Sequence, residues 1–169
     1  NIPDAPTKDD AIMAYNKLEY LFKDFEFTDE ESKAAVISAI LTGTVRRLLP
    51  SAPAFCFDAP KRGSGKTLLA NTIGNIITGD AITTINYGKD ETEFSKRIDS
   101  ILFRGDPVIN IDNIEIPVSG DTICSILTNE THNPRILGKS EQPKVETNIL
   151  IMFTGNNVTF KGDMVRRVL

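Results

Sequence analysis

Residues 54–67 constrain the fold of this chain more than any other stretch. They read Ala-Phe-Cys-Phe-Asp-Ala-Pro-Lys-Arg-Gly-Ser-Gly-Lys-Thr, an apolar run that enters a glycine turn, and a helical pattern follows over residues 68–77. A short buried strand that turns directly into a helix is the order of elements that a phosphate-binding loop requires. An ordinary strand-to-helix glycine turn is the alternative interpretation.

The residue types in this loop suit phosphate binding. Gly63 and Gly65 allow positive φ and a close approach of backbone N–H groups to a ligand. Lys66 is expected to reach the β and γ oxygens of a nucleoside triphosphate, and Thr67 to ligate Mg²⁺. The pattern G-x-x-x-x-G-K-[ST] is matched only in its second half, because Pro60 replaces its first glycine. The expected nucleotide-binding residues are Pro60, then Lys61 and Arg62 on the solvent side, then Gly63, Ser64, Gly65, Lys66, Thr67 and Leu68.

Composition limits the remaining possibilities. A chain of 169 residues, 40% of them apolar and 25% charged, has room for one α/β domain with a small helical appendage. The net charge of −4 argues against a protein that coats nucleic acid by bulk positive charge, although a local basic channel stays open. Cys56 and Cys124 lie in apolar surroundings, which predicts reduced thiols and a cytoplasmic location. No apolar run has membrane-spanning length, so no membrane partner is expected.

The first 50 residues are predicted to form an N-terminal segment of two helices, and residues 51–169 the α/β core. Apolar residues recur at helical spacing over residues 9–25, after Thr7 and Asp10 in capping-box positions. Thr28 and Glu31 form a second capping signature before a helix over residues 34–49 that Pro50 ends. This segment either packs against the core or docks onto a neighbour.

Further strands are predicted after the loop and its helix. Residues 81–86 and 108–112 read as strands, separated by a polar helix over residues 90–102. The second of these strands ends in Asp112, which is the expected form of a Walker B element whose carboxylate binds Mg²⁺ together with Thr67. Residues 148–153 form the next apolar strand, and a fifth is expected to begin at residue 168.

In this order, four motifs resemble an AAA+ type ring ATPase over residues 54–169. They are Ala-Pro-Lys-Arg-Gly-Ser-Gly-Lys-Thr at 59–67, Ile-Asp-Asn at 111–113, Thr-Gly-Asn-Asn at 154–157 and Gly-Asp-Met-Val-Arg-Arg at 162–167. More narrowly, they look like the helicase-type ATPase domain of phage or prophage primase-helicase proteins. The resemblance implies a P-loop NTPase with a parallel sheet in the order 5-1-4-3-2. It also implies ATP and Mg²⁺ bound between subunits of a homo-oligomeric ring, and movement on DNA.

By this resemblance Asn156 is the sensor 1 residue, with Asn157 as the second choice and a tight polar turn as the alternative. Arg166 and Arg167 are arginine-finger candidates that would stabilise charge on the transferred phosphoryl group in the neighbouring subunit's site. The alternative for these arginines is a solvated basic turn.

The chain departs from the family pattern in two places. Asp112 is followed by Asn113, where the family usually has a glutamate that activates water, and the next acid is Glu115. If extended geometry persists, positions 113 and 115 face the same side, so Glu115 is either the substitute base or a surface carboxylate. The helical lid that normally follows an AAA+ core is expected to be missing, because the chain ends before it.

A hairpin is predicted over residues 135–147, between the Walker B element and the sensor strand, where hexameric viral and phage helicases carry a hairpin that grips DNA. Arg135, Lys139 and Lys144 supply positive charge for phosphate contacts, whereas Glu141 and Glu146 offset part of it. A plain solvated connection is the alternative.

Three functions are compatible with these motifs. The leading one is an ATP-hydrolysing motor that acts on DNA, with single-stranded DNA as the expected partner. The second is a nucleotide switch, such as a loader, an initiator or an assembly ATPase, that does not unwind DNA. The third, a kinase for a small substrate, leaves the asparagine-ended strand and the paired arginines without a role.

Overall fold

A computed structural model describes residues 3–134 and 143–169. The chain divides into two compact units, Asn1–Ser38 and Ala39–Leu169. The division falls within the second helix, and the domain boundary expected at residue 50 stays a prediction. None of the helices in the described part of the chain combines the length and hydropathy that a membrane crossing requires.

Two helices precede the sheet, α1 over Lys8–Tyr20 and α2 over Glu30–Val45. The predicted capping box at α1 is confirmed, because Thr7 Oγ1 accepts from the Asp10 N–H and the Asp10 carboxylate accepts from the Thr7 N–H. At α2 the predicted cap is wrong by one residue. Asp29 Oδ1 accepts from the Ser32 N–H at 2.7 Å, so the carboxylate, rather than Thr28, satisfies the first turn.

The second unit contains a four-stranded parallel sheet flanked by helices, which confirms the predicted α/β class. The strands lie in the order β1-β6-β3-β2, and neighbouring strands are parallel. The elements of this unit are β1 (Phe55–Asp58), α3 (Lys66–Thr78), β2 (Thr83–Asn86), α4 (Glu91–Arg104), β3 (Val108–Ile114), α5 (Asp121–Thr128), β4 (Thr131–His132), β5 (Val145–Glu146) and β6 (Leu150–Gly155).

The central strands are apolar because helices cover the sheet. All six residues of β6 are buried, as are the first four of β3. Burial on both faces removes the alternation of apolar and polar residues that a half-exposed strand would show. The helix α3 packs against β1, β3 and β6, and its buried side includes Leu69, Ala70 and Ile73.

The carboxyl-terminal residues run alongside β1. The Ala54 N–H donates to Arg167 O at 2.9 Å, the Cys56 N–H donates to Leu169 O at 2.7 Å, and the Leu169 N–H donates to Ala54 O at 3.0 Å. Ala54 and Val168 form a parallel bridge. The chain therefore returns to the free side of β1 at residues 167–169.

The second arm of the predicted hairpin is described by the structure, whereas the first arm, residues 135–138, lies outside the described residues. β4 pairs with β5 in antiparallel register, Thr131 opposite Glu146 and His132 opposite Val145. In the second predicted arm, residues 144–147, the paired residues are therefore Val145 and Glu146. Arg135, Lys139 and Glu141 lie outside the described residues.

Candidate active site

Three segments of the sequence meet at the carboxyl end of the sheet. β6 lies between β1 and β3, and all three strands are parallel, so the residues that follow them emerge at the same end. The carboxyl ends of parallel strands are where open α/β sheets bind ligands. The loop over residues 59–65, the end of β3 and the turn after β6 therefore surround one region.

The glycine loop adopts the conformation that its glycines allow. Gly63 has φ of 77° and Gly65 has φ of 83°, both in the left-handed region that side chains with a Cβ avoid. Gly65 is the N-cap of α3, so the helix begins at Lys66 with its first N–H groups directed toward the loop. Ser64 is exposed and Leu68 is 63% exposed.

Lys66 joins the loop to the turn after β6. Its Nζ donates to Lys61 O at 3.0 Å, to Ser64 Oγ at 2.8 Å and to Asn156 Oδ1 at 2.9 Å. Asn156 is separated from Lys66 by 90 residues of sequence. The structure therefore brings the predicted lysine and the first-choice sensor residue into contact.

Asn157 has a different position from Asn156. It adopts φ of 56° and is exposed, so it forms the turn that follows β6. The Val158 N–H donates to Asp58 Oδ1 at 3.2 Å, which connects this turn to the end of β1. Asp58 was not among the predicted site residues, although its place at the end of a strand beside the glycine loop was visible in the sequence.

Thr67 and Asp112 are also in contact. Thr67 Oγ1 donates to Asp112 Oδ2 at 3.1 Å. A hydroxyl and a carboxylate are oxygen ligands of the kind that Mg²⁺ prefers, and Mg²⁺ usually keeps several waters and phosphate oxygens in its remaining positions. The donor types and their contact fit the predicted Mg²⁺ site. No group of three or more His, Cys, Asp or Glu side chains suited to a metal occurs in residues 3–134 and 143–169.

Two buried polar residues behind Asp112 were missed from the sequence. Thr154 Oγ1 donates to Asp112 Oδ1 at 2.6 Å, and Asn110 Nδ2 donates to Thr154 Oγ1 at 3.0 Å. Both Asn110 and Thr154 are 0% exposed. A polar residue inside an otherwise apolar strand, in Val-Ile-Asn-Ile and Ile-Met-Phe-Thr, is the signal that could have identified them.

The extended geometry assumed for Glu115 does not persist past Asp112. Asn113 has φ of 54°, and the pairing of β3 with β6 shifts register between Ile111 and Ile114. The condition under which positions 113 and 115 were expected to face the same side is therefore not met. Glu115 and Asn113 nevertheless approach each other, with 3.5 Å between Asn113 Nδ2 and Glu115 Oε1.

A cleft of ≈ 300 Å³ opens beside the glycine loop. Its lining brings together residues from the loop, the end of β3 and the turn after β6: Pro60, Arg62, Asn113, Ile114, Glu115 and Asn156. Four of the predicted site residues thus line one cleft. Glu115 is exposed there and follows the last residue of β3.

Arg166 and Arg167 differ in exposure. Both guanidinium groups donate to the Asp163 carboxylate, that of Arg167 through Nη2 at 2.9 Å. These bonds lower the pKa of Asp163, and the bond with Arg166 is the largest cause. The side chain of Arg166 is 79% exposed, whereas that of Arg167 is 27% exposed. Of the two, Arg166 is the one whose guanidinium is accessible to another molecule.

The two cysteines are free thiols, as predicted. Burial raises the pKa of Cys56 to about 12, and burial is also the main cause that raises the pKa of Cys124. Thiols of this kind are poor nucleophiles. His132 Nε2 lies 2.9 Å from Asp99 Oδ1, which connects β4 to α4.

Two comparisons with known proteins were negative. Models of known protein families gave no match to the chain, and a search of curated proteins found no significant sequence similarity.

Proposed function

We propose that this chain is an ATP-binding and ATP-hydrolysing domain of the P-loop class. The observation that carries the proposal is the contact of Lys66 with Asn156 and of Thr67 with Asp112, at the end of the sheet where α3 begins. These four residues come from three separate segments of the sequence, and each has the type that a nucleotide site requires at its position.

The nucleotide would be held by the loop and by α3. Backbone N–H groups around Gly63 and Gly65 and the N-terminus of α3 would bind phosphate oxygens. Lys66 would exchange its neutral oxygen partners for phosphate oxygens, and the amide of Asn156 would contact the terminal phosphate. Thr67 and Asp112 would hold Mg²⁺, which supplies charge neutralisation at the phosphates when it is bound.

The AAA+ resemblance gives the proposal a finer form. Residues 167–169 run parallel to β1 on its free side, which supports a fifth strand in this sheet. If only the strands of this sheet are numbered, β6 is the fourth, and the order is then 5-1-4-3-2. In a homo-oligomeric ring, the exposed Arg166 would stabilise negative charge at the site of the neighbouring subunit. Arg167 would instead hold the segment that carries Arg166, through its hydrogen bond to Asp163.

We further propose that the protein moves on DNA as a helicase-like motor of phage-type replication. This part of the proposal depends on the motif order and on the basic residues of the connection between β4 and β5, of which Lys144 is exposed. An expected outcome is that Lys139→Ala weakens salt-sensitive affinity for single-stranded DNA. Unchanged affinity would count against the connection as a DNA contact.

A non-motor nucleotide switch is the second candidate, and one observation favours it. Asn113 directly follows Asp112, its amide cannot accept a proton from water, and its φ of 54° interrupts the extended geometry of β3. If Glu115 does not orient the water, hydrolysis would be slow. Slow hydrolysis suits a protein that uses bound ATP to order partners.

The experiment compares the parent protein with Lys66→Ala and, as a matched control, Lys96→Ala. Lys96 is an exposed lysine of α4 and is not among the residues named for the nucleotide site. We expect Lys66→Ala to lower ATP hydrolysis by roughly 100-fold or more and Lys96→Ala to change it less than about threefold. Equal rates in all three proteins would overturn the proposal.

The motor and the switch are separated by DNA. Stimulation of the parent's ATP hydrolysis by single-stranded DNA, absent from Lys66→Ala, supports the motor. ATP binding without such stimulation supports the switch.

A further inference from the structure

We propose that Asn110 and Thr154 are positioning residues that set the orientation of the Asp112 carboxylate for Mg²⁺. This inference depends on the proposed function, because it concerns how the chain holds the metal of a bound nucleotide. Neither residue is predicted to touch the nucleotide. Their effect would be transmitted through Asp112.

The hydrogen bonds run in one direction, from the strand interior to the site. Thr154 Oγ1 lies 2.6 Å from Asp112 Oδ1 and 3.2 Å from Asn110 Oδ1. A hydroxyl has one proton, and the shorter contact is to the carboxylate oxygen, which can only accept when ionised. Asn110 Nδ2 donates to the lone pair of Thr154 Oγ1 at 3.0 Å, so its amide directs the hydroxyl proton toward Asp112.

The two oxygens of Asp112 therefore have separate partners. Oδ1 accepts from the Thr154 hydroxyl and from the Asn113 N–H at 2.7 Å, whereas Oδ2 contacts Thr67 Oγ1. The first oxygen is fixed by groups of the sheet and the second is left on the side of α3. This arrangement selects one rotamer of Asp112 and presents one oxygen beside the Thr67 hydroxyl.

Burial of these polar groups costs free energy that a purely structural role would not require. Asn110 and Thr154 are fully buried in apolar strands, where an amide and a hydroxyl must satisfy each other to avoid a desolvation cost. An apolar pair of similar shape would pack the same space without that requirement. Orientation of a metal ligand gives such polar groups a function, and removal of partners of this kind costs roughly 10- to 100-fold in metal affinity.

The test measures how much Mg²⁺ strengthens nucleotide binding. The dissociation constant of the chain for a non-hydrolysable ATP analogue is measured with excess Mg²⁺ and with excess chelator. The constant in chelator divided by the constant in Mg²⁺ gives the strengthening due to the metal, and this ratio is compared among variants. Thr154→Val removes the hydroxyl at nearly constant shape, and Thr154→Ser keeps it. Thr147→Val is the matched control, because Thr147 is equally buried and its hydroxyl donates to Asn129 O at the other end of β6.

We expect Thr154→Val to lower this ratio by roughly tenfold or more while affinity in chelator changes less than about twofold. Thr154→Ser and Thr147→Val should keep the parent ratio. A parent ratio in Thr154→Val would overturn the inference and leave the proposed function intact. A parent chain that binds no analogue under either condition would overturn the proposed function, and the inference with it.

A second variant covers the case in which Thr154→Val does not fold because the Asn110 amide is left unsatisfied. The double substitution Asn110→Leu with Thr154→Val removes both polar groups and leaves no orphaned amide. It should show the same loss of the Mg²⁺ effect. A double variant with the parent ratio would assign the network to packing alone.

Discussion

The amino end and the carboxyl end of the parallel sheet both carry polar side chains, but these side chains bond to different kinds of partner. At the carboxyl end, side chains bond mainly to other side chains, as in the contacts of Lys66 with Asn156 and of Thr67 with Asp112. At the amino end, the buried Arg46 bonds to backbone carbonyls, Nε to Ile149 O at 3.2 Å and Nη2 to Thr147 O at 2.8 Å. The same strand, β6, begins beside the second group and ends beside the first.

This difference separates stability from function. The carbonyls that Arg46 holds have fixed positions in the chain, so the guanidinium ties the end of α2 to the start of β6. The partners of Lys66 are a loop carbonyl, a hydroxyl and an amide, all of which phosphate oxygens can replace. We therefore expect substitutions at the amino end to change the free energy of unfolding, and those at the carboxyl end to change nucleotide chemistry.

The largest expected effect is that of Arg46→Met on stability. Arg46 is 2% exposed, and burial lowers the pKa of its guanidinium, which nevertheless stays charged. Methionine fills part of the space but leaves buried carbonyls without a donor, so we expect the free energy of unfolding to fall by roughly 3 kcal/mol. Urea denaturation measures the change.

The neighbouring Arg47 gives the matched control for this prediction. Arg47 is exposed, and Arg47→Met should change stability by less than about 0.5 kcal/mol. Nucleotide affinity of folded Arg46→Met should equal that of the parent. If nucleotide affinity fell along with stability, the two ends of the sheet would be coupled. Stability at the amino end and nucleotide binding at the carboxyl end would then not be separate properties.

The next effect is that of Glu115→Gln on ATP hydrolysis. Glu115 lines the cleft that also contains Arg62 and Asn156, and a carboxylate there can accept a proton from water whereas an amide cannot. We expect the rate constant of hydrolysis to fall by roughly 100-fold with little change in the KM for ATP. Steady-state kinetics provide the measurement.

A glutamate at the other end of the sheet tests the specificity of this change. Glu130 is exposed beside the amino end of β6, and Glu130→Gln should hydrolyse ATP at the parent rate. A parent rate in Glu115→Gln would remove that residue from the mechanism and favour the nucleotide switch.

The order of elements and the residues Lys66, Asp112 and Asn156 of the site could be predicted from the sequence because they depend on local patterns. The glycine turn after an apolar run predicted β1 and α3, and the acid at the end of a buried strand predicted β3. Parallel strands then had to place Lys66, Asp112 and Asn156 near one another. These predictions needed only periodicity, turn chemistry and the rule that ligands bind at the carboxyl ends of strands.

Other features could not be read locally. The bonds of Arg46 to Thr147 and Ile149 span 101 and 103 residues of sequence. No local sequence pattern around Arg46 therefore predicts its burial. The left-handed backbone of Asn113 ends the extended geometry on which the prediction for Glu115 depended. Thr28 and Asp29 are adjacent and both are residue types that cap helices, so propensities do not decide which of them caps α2.

The smallest expected effect belongs to Asp106, again at the amino end of the sheet. The Arg104 guanidinium, at 2.7 Å, is the first cause of a pKa of Asp106 below its ordinary value of 3.8, and Thr83 Oγ1 also donates to this carboxylate, at 2.6 Å. These bonds connect α4 to the start of β2. We expect Asp106→Asn to lower the free energy of unfolding by about 1 kcal/mol at neutral pH.

The pH dependence of this difference has a definite sign. A carboxylate with a lowered pKa in the folded state contributes stability above its unfolded pKa and loses it as the pH falls through the folded pKa. The parent and Asp106→Asn should therefore differ at pH 7 and converge well below the ordinary value of 3.8. Urea denaturation at several pH values measures this, with the exposed Asp24→Asn as the control. If the difference persisted at the lowest pH, the lost contribution would be packing rather than charge. If ATP hydrolysis fell in Asp106→Asn at neutral pH, the amino end of the sheet would take part in function after all.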